Sequence, residues 1–246
     1  MNQAVVITGA AGGIGQALCQ LFKEQGYVVI ASDRIAAEGL PCDAFVQADL
    51  QTLCQVTEYR QQVIQTIRGH LRGEGLHGLI NNAAVQIVKA TDDLTVEDWH
   101  TTLDVNLLAP FLLTQALLPE LEQASGSVVN VASIHAQLTK PGFVCYATSK
   151  AALVGLTKSM AVDLGPRVRV NTICPAAVET PMLLAGFEGQ QQKLRDLAYH
   201  HPIQRLAQPI EVAELADFLI SGKSSFITGE TLSISGGIGG RLYDPV

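Results

Sequence analysis

Seven short apolar runs, most of them rich in β-branched residues, recur along the chain, and segments with helical apolar spacing separate most of them. Several runs are too continuously apolar to have one face in water, so both faces of the sheet must be covered. The alternation therefore predicts parallel strands joined by crossover helices. The predicted strands are Ala4–Thr8, Val28–Ser32, Ala44–Ala48, Gly78–Asn81, Ser127–Ala132, Val168–Ile173 and Thr231–Ser235.

Five longer segments place apolar residues at helical spacing. These predicted helices are Ile14–Gln25, Leu53–Arg68, Val96–Leu118, Tyr146–Leu164 and Ile210–Ser221. About ten residues, Arg34 to Asp43, join the second and third strands, which leaves room for a loop or a turn or two of helix. No repeat, low-complexity tract or linker marks a boundary, so we expect one domain over residues 1–246. The predicted fold class is α/β, a Rossmann-type doubly wound sheet, mostly parallel, with helices on both faces.

Composition excludes several classes of protein. Hydrophobic residues make up 48% of the chain and charged residues 16%, which indicates a globular protein and not a disordered one. A net charge of −7 without a basic cluster argues against nucleic-acid binding. No apolar stretch approaches the ~18 residues of a membrane span, and no basic segment at the N-terminus suggests a signal peptide. We therefore expect a cytoplasmic protein with neither a membrane nor a nucleic-acid partner.

The cysteines and histidines form no metal-site pattern. The five cysteines are odd in number, widely scattered and without a CxxC pair, which predicts reduced thiols. His200 and His201 are adjacent, but no carboxylate or cysteine stands at ligand spacing from them. No metal ion is expected.

A glycine-rich turn follows the first predicted strand directly and opens the first predicted helix. It reads Thr8-Gly9-Ala10-Ala11-Gly12-Gly13-Ile14-Gly15. Glycines in this setting permit a tight turn, let backbone N–H groups approach a pyrophosphate, and direct the positive end of the helix towards it. An ordinary glycine-rich turn is the alternative, but the strand-to-helix context favours a dinucleotide site.

An acidic residue at the end of the second strand bears on the choice of cofactor. Asp33 lies 18 residues after Gly15, where a carboxylate can accept hydrogen bonds from the adenosine ribose hydroxyls. Its charge would repel a 2′-phosphate, so NAD is the predicted cofactor and NADP is less favoured. Arg34 is the counter-evidence, because its guanidinium can pair with a 2′-phosphate if Asp33 points away.

With this glycine spacing the sequence resembles the short-chain dehydrogenase/reductases, and the resemblance covers essentially the whole chain. The residues that carry it are TGAAGGIG, Asp49 in ADL, Asn81-Asn82-Ala83-Ala84, Asn106 in VNLLAPF, Ser133, Tyr146-Ala147-Thr148-Ser149-Lys150, and VRVNTICP ending at Pro175. Jointly these motifs are very specific. Ala84, Ala176 and Ser235 depart from the family's commoner Gly, Gly and Asp, which predicts local adjustments beside the cofactor.

Tyr146 and Lys150 stand four apart in a predicted helix, so their side chains share one face. A neighbouring ammonium favours the phenolate, which predicts a lowered tyrosine pKa and an acid/base of useful strength. The resemblance implies that Tyr146 exchanges a proton with the substrate oxygen and that Ser133 hydrogen-bonds the same oxygen. It further implies that Lys150 holds the nicotinamide ribose and that Asn106 fixes a water in a proton relay.

The resemblance also implies a set of cofactor contacts. They are Thr8, Gly9, Gly13, Ile14 and Gly15 at the pyrophosphate, Asp33 at the adenosine ribose, Asp49 and Leu50 at the adenine, Asn82, Ala83, Tyr146 and Lys150 around the second ribose, and Pro175, Val178 and Thr180 around the nicotinamide. Arg34 joins this set as the residue that would admit NADP.

Substrate contacts are less constrained by the sequence. Ser133 and Tyr146 are expected to touch the substrate, and His135, Gln86 and Met182 are candidates for the pocket wall. Residues 182–201 interrupt the strand–helix rhythm, and loops at this end of a sheet commonly close over ligands. Their apolar residues suit a pocket wall, a helix packed on the core or a partner subunit almost equally.

The sequence thus predicts an NAD(H)-dependent oxidoreductase that interconverts a secondary alcohol, or a cyclic diol, and a ketone on a small molecule. The alternative is a non-catalytic dinucleotide-binding sensor or scaffold. Such a protein has little need to keep Asn106, Ser133, Tyr146 and Lys150 together, which favours the enzyme. The resemblance implies a homo-tetramer or homo-dimer.

Overall fold

A computed structural model, which describes residues 3–71 and 73–242, contains all seven predicted strands. They are β1 (Ala4–Thr8), β2 (Val28–Asp33), β3 (Ala44–Gln47), β4 (Gly78–Asn81), β5 (Ser127–Val131), β6 (Arg169–Pro175) and β7 (Thr231–Ile234). They form one sheet in the order β3-β2-β1-β4-β5-β6-β7, and every ladder between them is parallel. The predicted Rossmann-type fold is confirmed, with an entirely parallel sheet.

Ten α-helices are present in the described part of the chain. They are α1 (Gly13–Glu24), α2 (Leu50–Gln55), α3 (Thr57–Leu71), α4 (Val96–Leu103), α5 (Ala109–Ala116), α6 (Leu118–Gln123), α7 (Val144–Leu164), α8 (Pro181–Ala185), α9 (Gln191–His200) and α10 (Pro209–Ile220). Between β2 and β3 the chain forms only bends and turns, as the short interval allowed.

The core consists of two apolar layers, one on each face of the sheet. Successive residues of a strand point to opposite faces, so Val6 packs with α3, α5, α6 and α7, whereas Val5 and Ile7 pack with α1 and α10. All five residues of β1 are buried. This explains why the strands are continuously apolar.

Two long helical patterns are interrupted in the structure. The prediction of one helix over Leu53–Arg68 is wrong, because the chain leaves the helical conformation at Val56 and starts again as α3. The pattern over Val96–Leu118 contains a π-helical turn at Asp104–Leu108 between α4 and α5.

Residues 182–201 fold mainly as α8 and α9, so they are a helical segment and not an irregular loop. Since every strand is parallel, all carboxyl ends lie at one edge of the sheet. The chain order reverses between β1 and β4, and ligands of doubly wound sheets bind in the crevice at such a point. The segments that follow β1, β4, β5 and β6 therefore define where the site must be.

Candidate active site

The catalytic candidates come together at the carboxyl end of β5. Ser133 follows this strand and is buried, and its hydroxyl is near enough to the phenol of Tyr146 on α7 to lower the pKa of that phenol. Lys150, one helical turn further along α7, is 1% exposed. Residues of one helix and one strand end thus meet around a single phenol.

Lys150 is fixed by the sheet and not by an acidic partner. Its Nζ donates to the carbonyl oxygen of Val131 at 2.8 Å and lies 5.7 Å from the ring centroid of Tyr146. Burial lowers the pKa of Lys150 to about 8, against 10.5 for the free side chain, because a dry environment disfavours the ammonium. The side chain is therefore close to its titration point near neutral pH.

The pKa of Tyr146 differs from the expectation. Burial raises it above the usual value of 10, and the hydrogen bond from Ser133 opposes that shift only in part. The expected lowering by Lys150 does not contribute to this shift. The Lys150 Nζ donates to the Val131 carbonyl, and burial lowers the pKa of the lysine as well. In the chain alone, the protonated phenol is the favoured form.

Asn106 lies in the π-helical turn and is fully buried. Its Oδ1 accepts from the Val85 N–H at 2.8 Å, and its Nδ2 donates to the Val85 carbonyl and to Ser149 Oγ at 2.9 and 3.0 Å. Both amide hydrogens are thus used inside the protein. The side chain joins the segment after β4 to the catalytic helix, a role that the sequence did not reveal.

The glycine turn is shaped by close backbone approaches. Gly9 has φ +65°, and a Cβ there would lie 2.6 Å from the Cα of Ala83. A Cβ on Gly15 would lie 2.1 Å from the Gly9 carbonyl oxygen. Thr8 Oγ1 accepts from the Asn82 and Ala83 N–H groups, each at 3.1 Å, which ties the turn to the segment after β4.

The first turn of α1 fits an anionic group. Its N-cap, Gly12, offers no side-chain cap, and no acidic residue occupies the first turn. The N–H groups there have no side-chain acceptor, and the helix dipole favours negative charge at this end. A Cβ on Gly13 would lie 3.0 Å from Thr180 and Pro181, so the space beside this turn is narrow. The donors fit the pyrophosphate of a dinucleotide.

Asp33 faces the glycine turn. Its Oδ2 accepts from the Ala11 N–H at 3.0 Å and its Oδ1 from the Ile35 N–H at 3.3 Å. The carboxylate therefore points inwards, whereas Arg34 is exposed. This is the arrangement in which Asp33 can reach a ribose.

The remaining predicted cofactor contacts line the same edge. Asp49 caps α2 by accepting from the Thr52 N–H at 2.7 Å, and the half-buried Leu50 is the first residue of that helix. Thr180 caps α8, and its Oγ1 accepts from the Leu183 N–H at 3.3 Å. Pro175 ends β6, and the buried Val178 forms a bridge with Ala207. These side chains have structural partners as well as positions beside the crevice.

An aromatic wall stands beside Tyr146. The His135 ring stacks on Phe143 with centroids 4.5 Å apart and meets Tyr146 edge-on at 5.7 Å. Burial, and then the nearby Lys140 ammonium, lower the pKa of His135 below its usual value. Gln86 and Met182 are exposed, Met182 by 67%, and the structure records no polar contact of either side chain. Besides Ser133, His135 is thus the predicted substrate contact that lies beside the Tyr146 ring.

Metal and membrane features can be stated for the described ranges, 3–71 and 73–242. No three His, Cys, Asp or Glu side chains cluster there in a way that would hold a metal ion. No helix there has the length and hydropathy needed to span a bilayer. All five cysteines carry free thiols.

Comparison with known proteins agrees with this geometry. A family model described as "Enoyl-(Acyl carrier protein) reductase" matches residues 9–239. Human dehydrogenase/reductase SDR family member 4 is 37% identical, with 98% of this chain and 89% of that protein covered. The 3-oxoacyl-[acyl-carrier-protein] reductase FabG of Thermotoga maritima is 36% identical over 96% of this chain and 98% of its own. The chain belongs to the short-chain dehydrogenase/reductase family and is an oxidoreductase of that type.

Solved structures resemble the whole chain. The ligand-free aldohexose dehydrogenase of Thermoplasma acidophilum superimposes with a TM-score of 0.93 at 28% identity, covering 100% of this chain and 97% of that one. A 4-hydroxyisoleucine dehydrogenase complexed with NADH gives 0.87 at 28% identity, with coverages of 98% and 100%. ElxO with NADP bound gives 0.87 at 25% identity, with the same coverages. The neighbours thus include proteins that bind either dinucleotide.

Proposed function

We propose that this protein is an NAD(H)-dependent dehydrogenase that interconverts a secondary alcohol, or a cyclic diol, and a ketone on a small molecule. The observation that carries the proposal is the meeting of the Ser133 hydroxyl, the Tyr146 phenol and the Lys150 side chain at the crevice formed by the strand ends. A phenol hydrogen-bonded by a serine is a suitable partner for a carbonyl or alcohol oxygen.

Different residues of the site would bind the dinucleotide, bind the substrate and transfer the proton. The N–H groups of the glycine turn and the Asp33 carboxylate would hold the dinucleotide, which supplies the hydride donor or acceptor when bound. Ser133 and Tyr146 bind and orient the substrate oxygen. Tyr146 gives a proton to that oxygen in reduction and takes one in oxidation. The Lys150 side chain is held beside the phenol by its hydrogen bond to the Val131 carbonyl, where it would bind the ribose next to the nicotinamide.

Replacement of one oxygen atom tests the mechanism. Tyr146→Phe removes the proton donor and keeps the ring contact with His135. We expect turnover of a panel of secondary alcohols and ketones to fall by at least about 10³-fold, in line with loss of a general acid–base and the substrate hydrogen bond. Binding of the reduced dinucleotide, followed by nicotinamide fluorescence, should change by less than about threefold. Comparable turnover by wild type and variant would refute the role of Tyr146.

The NADH titration and the turnover panel together distinguish an enzyme from a non-catalytic dinucleotide-binding protein. A protein that binds NADH tightly but turns over no member of the panel would be a sensor or scaffold. The inward-facing Asp33 and the exposed Arg34 support NAD over NADP. A wild-type preference for NADPH would reject this part of the proposal.

We also propose a cytoplasmic homo-tetramer, with a homo-dimer as the alternative. Exposed apolar side chains on α4 and α7, Val96 at 71% and Val162 at 85%, support contacts between copies. Light scattering at micromolar concentration tests this, because a mass near the 26.2 kDa of one chain would contradict it.

A further inference from the structure

The wall beside the catalytic phenol carries a cation without a carboxylate partner. Lys140 lies in the segment before α7, and its Nζ stands 4.6 Å from the ring centroid of Phe143. The Phe143 ring is buried and meets Tyr146 edge-on, with centroids 6.1 Å apart. The Lys140 ammonium thus contacts the Phe143 ring, and the Phe143 ring contacts the ring of Tyr146.

A second lysine beside the same wall is paired differently. The Lys89 N–H donates to the Gly142 carbonyl, so its segment adjoins the one that carries Lys140. Lys89 Nζ is held by both oxygens of Asp98, at 2.9 and 2.8 Å. Across residues 3–71 and 73–242, no ion pair of Lys140 with an acidic side chain is recorded. One cation of the wall is therefore neutralised and the other is not.

The other polar group of the wall is the His135 imidazole. Burial, and then the Lys140 ammonium, lower the pKa of His135, which favours its neutral form. The neutral imidazole can exchange hydrogen bonds with a ligand. Stacking on Phe143 fixes its ring, with an interplanar angle of 7°. Besides the buried Lys150, whose Nζ donates to the Val131 carbonyl, Lys140 is the cation that can select charge at this wall.

From this arrangement we propose that the substrate carries a carboxylate, recognised by the Lys140 ammonium with the His135 imidazole as a hydrogen-bond partner. The substrate class is a short hydroxy acid and its oxo acid. A cation over a phenylalanine face is stabilised by about 0.5–1 kcal/mol at an exposed site. The contact therefore orients the ammonium and leaves its N–H groups able to bind an anion. In a protein of net charge −7, an unpaired ammonium gives the pocket a local preference for anions. The inference rests on the proposed function, since it names the substrate of the same site.

A binding measurement tests the inference without relying on turnover. Oxo acids of four to six carbons are compared with their primary amides, which match them in size but are neutral. Calorimetric titration uses the complex with the tighter-binding oxidised dinucleotide, which cannot reduce the oxo acid, or the protein alone if neither dinucleotide binds. We expect the wild type to bind at least one oxo acid about tenfold more tightly than its amide, and the difference to shrink as salt rises from about 0.05 to 0.5 M.

Variants assign the preference to one side chain. Lys140→Met should bring acid and amide to near equality, and Lys140→Arg should retain most of the preference. Lys158→Met is the matched control, an exposed lysine further along α7 that should behave as wild type. Equal binding of acid and amide, binding of neither, or a preference that survives in Lys140→Met would overturn the proposal. Turnover of neutral ketones with loss in Tyr146→Phe would still support the proposed oxidoreductase, so the two failures are distinct.

Discussion

Burial of the Lys150 ammonium lowers the free energy of unfolding, and stability measurements can detect this effect. Lys150→Met replaces a 1% exposed ammonium by an apolar chain of similar length. A pKa lowered from 10.5 to about 8 corresponds to about 3 kcal/mol of unfavourable interaction while the lysine stays charged below pH 8. The variant leaves the Val131 carbonyl without its 2.8 Å partner, which costs about 1–3 kcal/mol. At pH 7 we therefore expect Lys150→Met to be more stable by about 1 kcal/mol.

The sign of the difference depends on pH. Between about pH 8 and 10.5 the unfolded chain binds a proton at Lys150 and the folded chain does not, so the wild type gains stability as pH rises. At pH 9.5 only about 1 kcal/mol of the burial cost remains, and the loss of the Val131 contact should outweigh it. The variant is thus expected to change from slightly more stable to slightly less stable than the wild type.

Thermal unfolding of the nucleotide-free protein at pH 7 and pH 9.5 measures this effect. For a chain of this size, 1 kcal/mol moves Tm by about 2–4 °C. Lys158→Met controls for replacing an exposed lysine and should show no crossing. A difference between wild type and Lys150→Met that is the same at both pH values would refute the view that burial of the ammonium is costly.

Two further predictions concern the cofactor. Asp33→Ser should lower the affinity for NADH relative to NADPH by at least about tenfold, and Asp33→Asn, which keeps an acceptor for the Ala11 N–H, should separate the charge from that contact in the same fluorescence titration. Gly15→Ala should abolish dinucleotide binding, because a Cβ would lie 2.1 Å from the Gly9 carbonyl, whereas Gly155→Ala, in an open position on α7, should bind normally and unfold at an equal or higher temperature. Tight binding by Gly15→Ala would show that the turn adjusts more easily than its packing indicates.

The sequence predicted the strands well because their apolar content reports burial on both faces. Helix interruptions were not predictable in the same way. At Val56 the backbone becomes extended between two helices, and a π-helical turn lies at Asp104–Leu108. Periodicity reports which face is buried, but it does not report how the backbone is hydrogen-bonded.

Some features of the candidate site could be predicted from the sequence, and others required the folded structure. Residue types at fixed spacing on one element, such as Tyr146 and Lys150, were visible in the sequence. Contacts between distant segments were not visible in the sequence. The hydrogen bonds between Asn106 and Val85, for example, join residues that are 21 apart in the chain. The Lys140 ring contact is also of this kind, because only the folded segment brings its ammonium to Phe143.

The direction of the tyrosine pKa shift required the structure, and it bears on the chemistry. Spacing alone placed an ammonium beside the phenol and so predicted a lowered pKa, but burial acts on both groups and disfavours charge on each. A protonated phenol is the form that donates to a ketone oxygen, whereas oxidation of an alcohol needs the phenolate. In the chain alone, the raised pKa favours the protonated phenol of Tyr146, and its use as a base in the proposed reaction requires either a higher pH or additional positive charge at the site. The proposed preference for NAD, whose cellular pool favours oxidation, and a phenol that stays protonated act in opposite senses, so we expect the rate of oxidation relative to reduction to rise with the assay pH.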